Sequence, residues 1–570
     1  MAERHSLRFA LLSIAALALG ACGGQGDNDS AGNPPPPGTT VTLSGKITFD
    51  RIVFQTTLRT GLNPSSPVES PARQITVEAL DASSGNTILA TTTTDEAGNY
   101  TFQVPTNRMV RVRAKAEMAQ TGSGGTWNFR VLDNTQSATL YVLDGDAADT
   151  GTANATRNLR ATSGWGTTSY TGTRAAAPFA ILDTVYSAKK QILDAVAGTA
   201  FPALNLYWSK DNRPTVANFC TTSGDIGTTF YTPGETAARV SNCAPSPNLP
   251  GIDLPAGIYV LGDFANGNGD TDEFDQHVIA HEFGHFVEDK FSRSDSIGGS
   301  HSIGDRLDLR VAFSEGWGNA YAGMVLNDPL YRDSALGVSA DTGFDMEADN
   351  PNDGWFSELS ITEILWDLFD NVADAGDQVA LGFPPLYAVM VGAQRSTDAM
   401  TSIYTFVDGL RAANASQVAG INALLTGESI TNTDAFGTNE TNAGGSQTAL
   451  PIYQDVAVNQ PLPTPVCSSG NESLGNQLGY RRLLRLTLPT ATAVTIRVDG
   501  TASGTFGVPA TDPDIYLYTR GVIVAIADST AAGVETITQQ PLGAGVHIIE
   551  VYDYDVGVLP RCMSVAVSGL

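Results

Sequence analysis

The most informative segment of this chain is Asp275-Gln276-His277-Val278-Ile279-Ala280-His281-Glu282-Phe283-Gly284-His285-Phe286-Val287-Glu288. His281 and His285 are four residues apart, so on a helix they lie on one face, where both imidazoles can reach a single metal ion. Glu282 stands beside the first histidine and can direct its carboxylate at a water on that ion. Apolar residues at helical spacing supply a face for burial: Val278, Ile279, Phe283, Phe286 and Val287. The stretch therefore predicts a buried helix that carries part of a metal site.

A third ligand is predicted thirty residues after His285. Residues 311–321 form another apolar, helix-like segment whose single acid is Glu315, and a buried carboxylate with a partner would occupy such a place. Two His and one Glu leave the fourth zinc position open, which is the arrangement of a catalytic rather than a structural site. The alternative is that Glu315 caps a helix or pairs locally.

The sequence His-Glu-Phe-Gly-His at 281–285, followed by Glu-Gly-Trp at 315–317, resembles the gluzincin zinc metallopeptidases and most closely their fungalysin-like branch. The resemblance extends over residues 255–370. It implies a site in which His281, His285 and Glu315 bind Zn²⁺. It also implies peptide-bond hydrolysis by a zinc-activated water with Glu282 as the general base.

The same resemblance implies that an extended peptide substrate pairs with the strand just before the zinc helix, which is predicted at residues 257–263. Next to it, the acidic turn at 266–273 either holds calcium or is a solvated helix N-terminus with favourable acids; its residue order is not that of an EF-hand. The second interpretation is preferred on the sequence alone.

The sequence departs from the family pattern at two points. No histidine lies between His301 and His547, so the histidine that donates a hydrogen bond to the oxyanion has no evident counterpart. His301, Tyr321 and Tyr387 are candidate substitutes that the sequence does not rank.

Asn319 is the second departure, because fungalysin-like sequences carry there an Asp that braces a zinc-binding histidine. Asn can accept the same hydrogen bond without the charge, so we expect weaker metal binding or a lower rate. His277, one turn before His281, is interpreted as a supporting or surface residue rather than a ligand.

The N-terminus predicts export. A basic start is followed by an apolar run at 9–19 and by Leu-Gly-Ala-Cys, which resembles the bacterial lipoprotein box. That resemblance implies a signal peptide at 1–21 and a lipid on Cys22; an ordinary secretory signal is the alternative. Gly23 after the cysteine fits the outer membrane of a Gram-negative cell, facing either the periplasm or the cell surface. Residues 22–40 are predicted to be a flexible tether.

Composition restricts the partners and the redox state. A net charge of −28 disfavours nucleic acid and anionic membranes. The predicted partners are protein or peptide substrates and, through Cys22, a membrane; the chain is predicted to be monomeric. The other four cysteines predict two disulfides in an oxidising compartment, with free thiols as the alternative. The preferred pairs keep each bond inside one proposed domain: Cys220–Cys243 and Cys467–Cys562.

The predicted fold is multidomain: a β-sandwich, an α+β zincin catalytic domain with a mostly helical lobe, and a C-terminal β-sandwich. Residues 41–148 resemble a carboxypeptidase-regulatory-like sandwich, and residues 466–570 resemble a pre-peptidase C-terminal domain. The zinc domain is predicted at 155–455.

The sequence thus predicts an exported, lipid-anchored zinc metalloendopeptidase. Within the enzymes the alternative is an aminopeptidase, although no motif for an acidic amine-binding pocket is visible. A different class of function is a catalytically weakened zincin-fold lipoprotein that acts in binding or adhesion.

Overall fold

The computed structural model describes residues 39–215, 219–235, 243, 253–371, 378–469, 475–500, 511–530, 533–554 and 560–569. The predicted signal peptide and Cys22 lie outside these residues, as does nearly all of the predicted tether. None of the described helices is long and apolar enough to cross a membrane.

The N-terminal region is built from short strands, as its alternating sequence predicts. In the fifth strand, for example, the apolar residues Tyr100, Phe102 and Val104 are buried and the residues between them are exposed. The strands are β1 (Thr40–Arg51), β2 (Val68–Pro71), β3 (Thr76–Asp81), β4 (Thr87–Thr93), β5 (Asn99–Pro105), β6 (Met109–Lys115), β7 (Glu117–Gln120), β8 (Trp127–Asp133), β9 (Thr139–Leu140), β10 (Val142–Asp144), β11 (Ala148–Asp149), β12 (Ala155–Thr156) and β13 (Leu159–Ala161).

These strands do not respect the predicted domain boundaries at residues 148 and 155. β12 and β13, from the predicted connector, pair in parallel with β1. β8 pairs in parallel with the strand at 204–208 in the sheet beneath the predicted zinc helix. Phe129 of β8 is fully buried against Phe283 of that helix, with ring centroids 6.0 Å apart. β8 therefore supplies core side chains to the sheet beneath the predicted zinc helix, across the predicted boundary at residue 148.

The central region combines helices with the sheet that β8 enters. Its elements are α1 (Ala177–Ala195), β14 (Leu204–Trp208), β15 (Phe230–Thr232), β16 (Gly257–Val260), β17 (Gly262–Asp263), β18 (Asp270–Thr271), α2 (Gln276–Phe291), α3 (Leu309–Leu326), β19 (Leu330–Ala335), β20 (Ala340–Asp345), α4 (Glu358–Phe369), α5 (Phe383–Val389), α6 (Ile403–Ala413) and α7 (Val418–Gly427). The described residues therefore contain both predicted helical segments: that of the two histidines is α2, and that of Glu315 is α3.

The sheet of this region has the strand order β15-β16-β14-β8-β7. β15 runs antiparallel to β16, with Tyr231 opposite Ile258, and forms the outermost strand on that side. The predicted edge strand at 257–263 is therefore not the edge, because residues 230–232 cover it. This pairing depends on a chain reversal that no local pattern near residue 257 indicates.

The C-terminal region forms two facing sheets, ordered β21-β23-β28-β25-β26 and β22-β29-β24-β27. Their inner faces share a separate apolar core that includes Leu486, Ile496 and Ile549. The strands are β21 (Tyr453–Val456), β22 (Val466–Ser468), β23 (Arg482–Leu488), β24 (Thr492–Asp499), β25 (Pro513–Thr519), β26 (Val522–Ala527), β27 (Val534–Leu542), β28 (Gly545–Asp553) and β29 (Arg561–Gly569). The predicted β-sandwich is confirmed, although it begins at β21 rather than at residue 466.

Both predicted disulfides are present. Cys220 is bonded to Cys243, and Cys467 of β22 is bonded to Cys562 of β29, its partner in the strand register. The first bond closes the segment that contains the edge strand β15, and the second joins two neighbouring strands of the C-terminal sandwich.

Candidate metal centre

The structure brings together the three residues predicted as metal ligands. His281 and His285 lie on one face of α2, and their Nε2 atoms are 3.0 Å apart. Glu315 of α3 faces them, with Oε2 3.2 Å from Nε2 of His281 and 3.5 Å from Nε2 of His285. One atom from each side chain thus points to a common centre.

Each imidazole makes a hydrogen bond on the side away from the centre. This bond determines which ring nitrogen carries the hydrogen. Nδ1 of His281 lies 2.8 Å from Oδ1 of Asn319, and an amide oxygen only accepts, so Nδ1 carries the hydrogen. The predicted bracing role of Asn319 agrees with this contact. In the neutral imidazole the lone pair is then on Nε2, which faces the centre.

His285 is oriented by a second contact chain, which sequence reasoning missed. Ser314 donates to Oε2 of Glu288 at 2.6 Å, so its oxygen is free to accept from Nδ1 of His285 at 3.2 Å. Glu288 lies three residues after His285 on the same helix, and this spacing is the only signal in the sequence. Nε2 of His285 therefore also offers a lone pair to the centre.

This donor set fits a divalent metal ion such as zinc. Two nitrogen lone pairs and a carboxylate oxygen in mutual contact repel one another unless a cation lies among them, and two His with one Glu is a catalytic zinc ligand set. Without an ion, a proton takes that place. Burial alone would lower the pKa of His285, but the neighbouring Glu315 carboxylate raises it well above its usual range. For Glu315, the two imidazoles outweigh burial and hold the pKa well below its usual range.

Glu282, the predicted general base, is buried beside the ligands. The backbone N–H of Tyr231, in the edge strand β15, donates to its Oε2 at 2.7 Å. Burial raises the pKa of this carboxyl, which brings it towards the range that a general base needs. The hydrogen bond fixes the carboxylate relative to the strand that a substrate would meet.

Two glycines let α3 approach the helices on either side of it. A Cβ on Gly316 would lie 2.6 Å from Cβ of Ile361 in α4. A Cβ on Gly318 would lie 2.8–2.9 Å from three ring atoms of His281. The Gly residues around Trp317 therefore serve close packing, and the second of them makes room for a metal ligand.

We expect Gly318→Ala to weaken metal binding without removing any ligand. The added methyl must displace the His281 ring or the helix, and overpacking of this kind costs about 1–3 kcal/mol, so the metal dissociation constant should rise about tenfold or more. Competition with a chromophoric chelator measures that constant. Gly392→Ala is the matched control, because a Cβ there meets no atom within 4 Å; an unchanged affinity in Gly318→Ala would contradict the packing role.

Of the three candidate oxyanion donors, only His301 reaches the centre. Its Nε2 lies 3.6 Å from Oε2 of Glu315 and 3.7 Å from Oε2 of Glu358. Burial lowers the pKa of His301, but these two carboxylates outweigh it and raise the pKa. Tyr321 is fully buried and donates to the carbonyl of Ala188 at 3.0 Å. Tyr387 packs in the core against Phe383.

Tyr331 is a further residue near the ligands that sequence reasoning missed. It lies on the hairpin β19–β20, and its ring centroid is 6.2 Å from that of His281 and 5.3 Å from that of His277. His277 itself is buried, with Nε2 3.3 Å from the carbonyl of Asp328, and does not belong to the ligand cluster. No helical or strand period marks Tyr331, because a chain reversal brings it to the site.

Comparison with known proteins relates this region to peptidases. The family described as the mycolysin C-terminal domain matches residues 268–417, a range that contains His281, Glu282, His285 and Glu315. The match covers less than half of the chain, and it supports a peptidase-related domain. No curated protein sequence matches this chain.

Several solved structures are similar to parts of the chain. The pre-peptidase C-terminal domain of a collagenase from Bacillus anthracis is 12% identical, with a TM-score of 0.15, and the match covers 20% of this chain and 94% of that one. A putative carbohydrate binding protein from Pseudomonas aeruginosa is 9% identical, with a TM-score of 0.14, covering 21% and 88%. A periplasmic inhibitor of g-type lysozyme from Aeromonas hydrophila is 15% identical, with a TM-score of 0.13, covering 21% and 97%. At these TM-scores the similarities carry no functional argument.

Proposed function

We propose that this chain is an exported zinc metalloendopeptidase, anchored to the outer membrane of a Gram-negative cell by a lipid on Cys22. The observation that carries the proposal is the convergence of His281, His285 and Glu315 within 3.0–3.5 Å, with the buried carboxylate of Glu282 beside them. The match to a mycolysin domain over the same residues supports peptide-bond hydrolysis as the reaction class.

Each residue of the site has a separate role in the proposed hydrolysis. His281, His285 and Glu315 would hold the zinc ion, which when bound polarises the scissile carbonyl and lowers the pKa of a water. Glu282 takes the proton of the attacking water and passes it to the leaving amine. Asn319 and Ser314 keep the two imidazoles in the tautomer that directs Nε2 to the ion.

Two side chains near the centre are candidates to stabilise charge on the carbonyl oxygen. His301 lies beside Glu315 and Glu358, which favour its protonated, donating form. Tyr331 approaches from the opposite element, the hairpin β19–β20. A donor of this kind contributes about 3 kcal/mol to such reactions. Either residue could fill the role of the family histidine that this sequence lacks.

Strand β15 is the proposed binding edge for the substrate. Among the described residues it pairs only with β16, and its Tyr231 N–H holds Glu282. An extended peptide that lies along this edge would therefore pass close to the general base. Cleavage within a chain is preferred over removal of an N-terminal residue because the sequence shows no motif for an acidic pocket that binds a free amine.

The purified protein should contain about one zinc per chain and cleave casein. We expect a chelator to abolish cleavage and added Zn²⁺ to restore it, because the three ligands act only through the ion. Metal analysis and release of acid-soluble peptides measure both properties. Bound zinc with no cleavage of casein or of short peptides would contradict the enzyme assignment and favour a lipoprotein that binds rather than cleaves.

A further inference from the structure

Four aspartates converge at the start of the zinc-site helix, outside the centre described above. Asp270 lies in β18, Asp272 and Asp275 lie between β18 and α2, and Asp333 lies in β19 of the hairpin. Asp270, Asp272 and Asp333 each offer an oxygen within 4.8 Å of the other two. Asp275 lies close to Asp333, because its Oδ2 accepts a hydrogen bond at 2.6 Å from the N–H of Ser334, the next residue in the chain.

One oxygen of each carboxylate in this aspartate cluster is buried and has no hydrogen-bond partner among the described residues. Asp272 is 3% exposed and Asp275 is fully buried. The Oδ1 atom of each of the four aspartates is buried, with no hydrogen-bond partner among the described residues. A buried polar atom without a partner costs about 1–3 kcal/mol, and more when it is charged. Four such atoms in one place need an explanation.

No positive side chain of the described chain compensates the cluster. Within those residues no Lys, Arg or His lies within 4.0 Å of the four carboxylates, whereas nearby arginines are paired elsewhere: Arg332 is 2.9 Å from Asp341, and Arg174 is 2.7 Å from Glu273. Burial, together with the carboxylate of Asp270, raises the pKa of Asp333 to about 7. The carboxylates therefore oppose one another's ionisation as long as no cation is present.

We propose that Asp270, Asp272 and Asp333 bind one calcium ion, with Asp275 beside it. Calcium takes 6–8 oxygen ligands at about 2.3–2.6 Å, so its ligand oxygens lie no more than about 5 Å apart. The oxygens of these three aspartates lie within 4.8 Å of one another, which is compatible with one shared ion. The cluster contains only carboxylate oxygens, which suit calcium, whereas the candidate zinc centre includes two histidine nitrogens. This site is distinct from the ligands on α2 and α3 in both composition and place.

The position of the calcium site gives it a structural role: the ion stabilises the elements that carry the candidate zinc centre. The ion joins the chain just before α2 to the hairpin β19–β20. Hydrogen bonds also connect the two, among them those of Ser334 to Asp275 and to the carbonyl of Thr271. That hairpin carries Tyr331, and α2 carries His281 and His285. Calcium therefore fixes the start of the zinc-site helix and one wall of the site.

Thermal unfolding of the zinc-loaded full chain in calcium-free buffer tests the proposal. Addition of 1 mM Ca²⁺ should raise Tm by about 5 °C, because a ligand that binds only the folded state stabilises it. Asp333→Asn should abolish most of this rise. The same variant should also have a higher Tm than the wild type without Ca²⁺, since it relieves repulsion among the carboxylates. Zinc content is measured before and after, so loss of zinc is not mistaken for loss of calcium.

Asp345→Asn is the matched control, because it removes one carboxylate from the far end of the same hairpin and should keep the full response to Ca²⁺. The proposal is overturned if Ca²⁺ does not change the Tm of the wild type. It is also overturned if Asp333→Asn responds as the wild type does. Both readouts are independent of proteolysis, so they remain decisive even if the chain is not a peptidase.

Discussion

Glu282→Gln should reduce casein cleavage by about 10²–10⁴-fold while leaving one zinc per chain. The substitution keeps the shape of the side chain, and the amide oxygen can still accept the N–H of Tyr231, which now donates at 2.7 Å to Oε2. What is lost is the group that takes the proton of the attacking water. None of the predicted metal ligands is touched, so metal analysis should match the wild type.

Measurement of both kcat and zinc content separates the role of Glu282 as general base from a structural role. Glu69→Gln is the control: its side chain is half exposed on β2 and pairs at 3.4 Å with an equally exposed Arg160, so activity should be unchanged. A Glu282→Gln protein that keeps zinc and more than a tenth of the activity would show that another group is the base. A protein that loses zinc would place Glu282 among the groups that hold the site together.

Glu550→Gln should cause a large loss of stability, because it breaks a buried network of charges. Glu550 of β28 is fully buried. It accepts from Nη1 of Arg310 at 2.6 Å and is paired with Arg481, while the Tyr518 hydroxyl donates to it at 3.2 Å. Removal of one member of a buried ion pair leaves uncompensated charge and costs about 3–5 kcal/mol.

The loss should reach beyond the C-terminal sandwich, because Arg310 belongs to α3, the helix of Glu315. Arg310 also contacts Asp308, at 2.8 Å, so it keeps one partner, whereas Arg481 loses its carboxylate. Differential scanning calorimetry should show a lower Tm for the transition that includes the sandwich. Asp455→Asn is the matched control: it breaks a surface pair with Arg485, also in this sandwich, and should cost less than about 1 kcal/mol. An equal loss in both variants would contradict the buried-cluster argument.

The contribution of Glu550 has a defined pH dependence. Burial alone would raise its pKa, but Arg310 and Arg481 lower it to about 2. The folded pKa is thus below the unfolded value, so the stabilisation is fully present above about pH 4.5 and is lost as the pH falls towards 2. The difference in Tm between wild type and Glu550→Gln should therefore shrink below pH 4.5. A difference that grew on acidification would contradict this assignment.

Several features of this protein could be predicted because they are local. The spacing of His281 and His285 defines one helix face wherever the helix lies. Glu315 was recognisable because a lone acid in an apolar segment needs a buried partner. The disulfides followed from keeping each pair within one proposed domain. Asn319 followed from the resemblance to fungalysin-like sequences, which carry an Asp at this position.

Other features depend on residues far apart in the chain. The pairing of β8 with β14 joins residues some 75 positions apart, and alternation within either strand does not say which neighbour it will meet. The edge strand was therefore mispredicted, and the central sheet crosses the predicted boundary at residue 148. His301 and Tyr331 reach the site on a loop and a hairpin, where no period marks the direction of a side chain.

The acidic turn before the zinc-site helix shows the division most clearly. The sequence alone predicts that Asp270, Asp272 and Asp275 precede a helix. Solvated acids at that place interact favourably with the helix dipole. In the folded chain, the hairpin β19–β20 adds Asp333 and covers these carboxylates. No local pattern in the sequence indicates this contact. Burial removes the water that would otherwise screen them, so residues that are harmless on a surface need a cation in the interior.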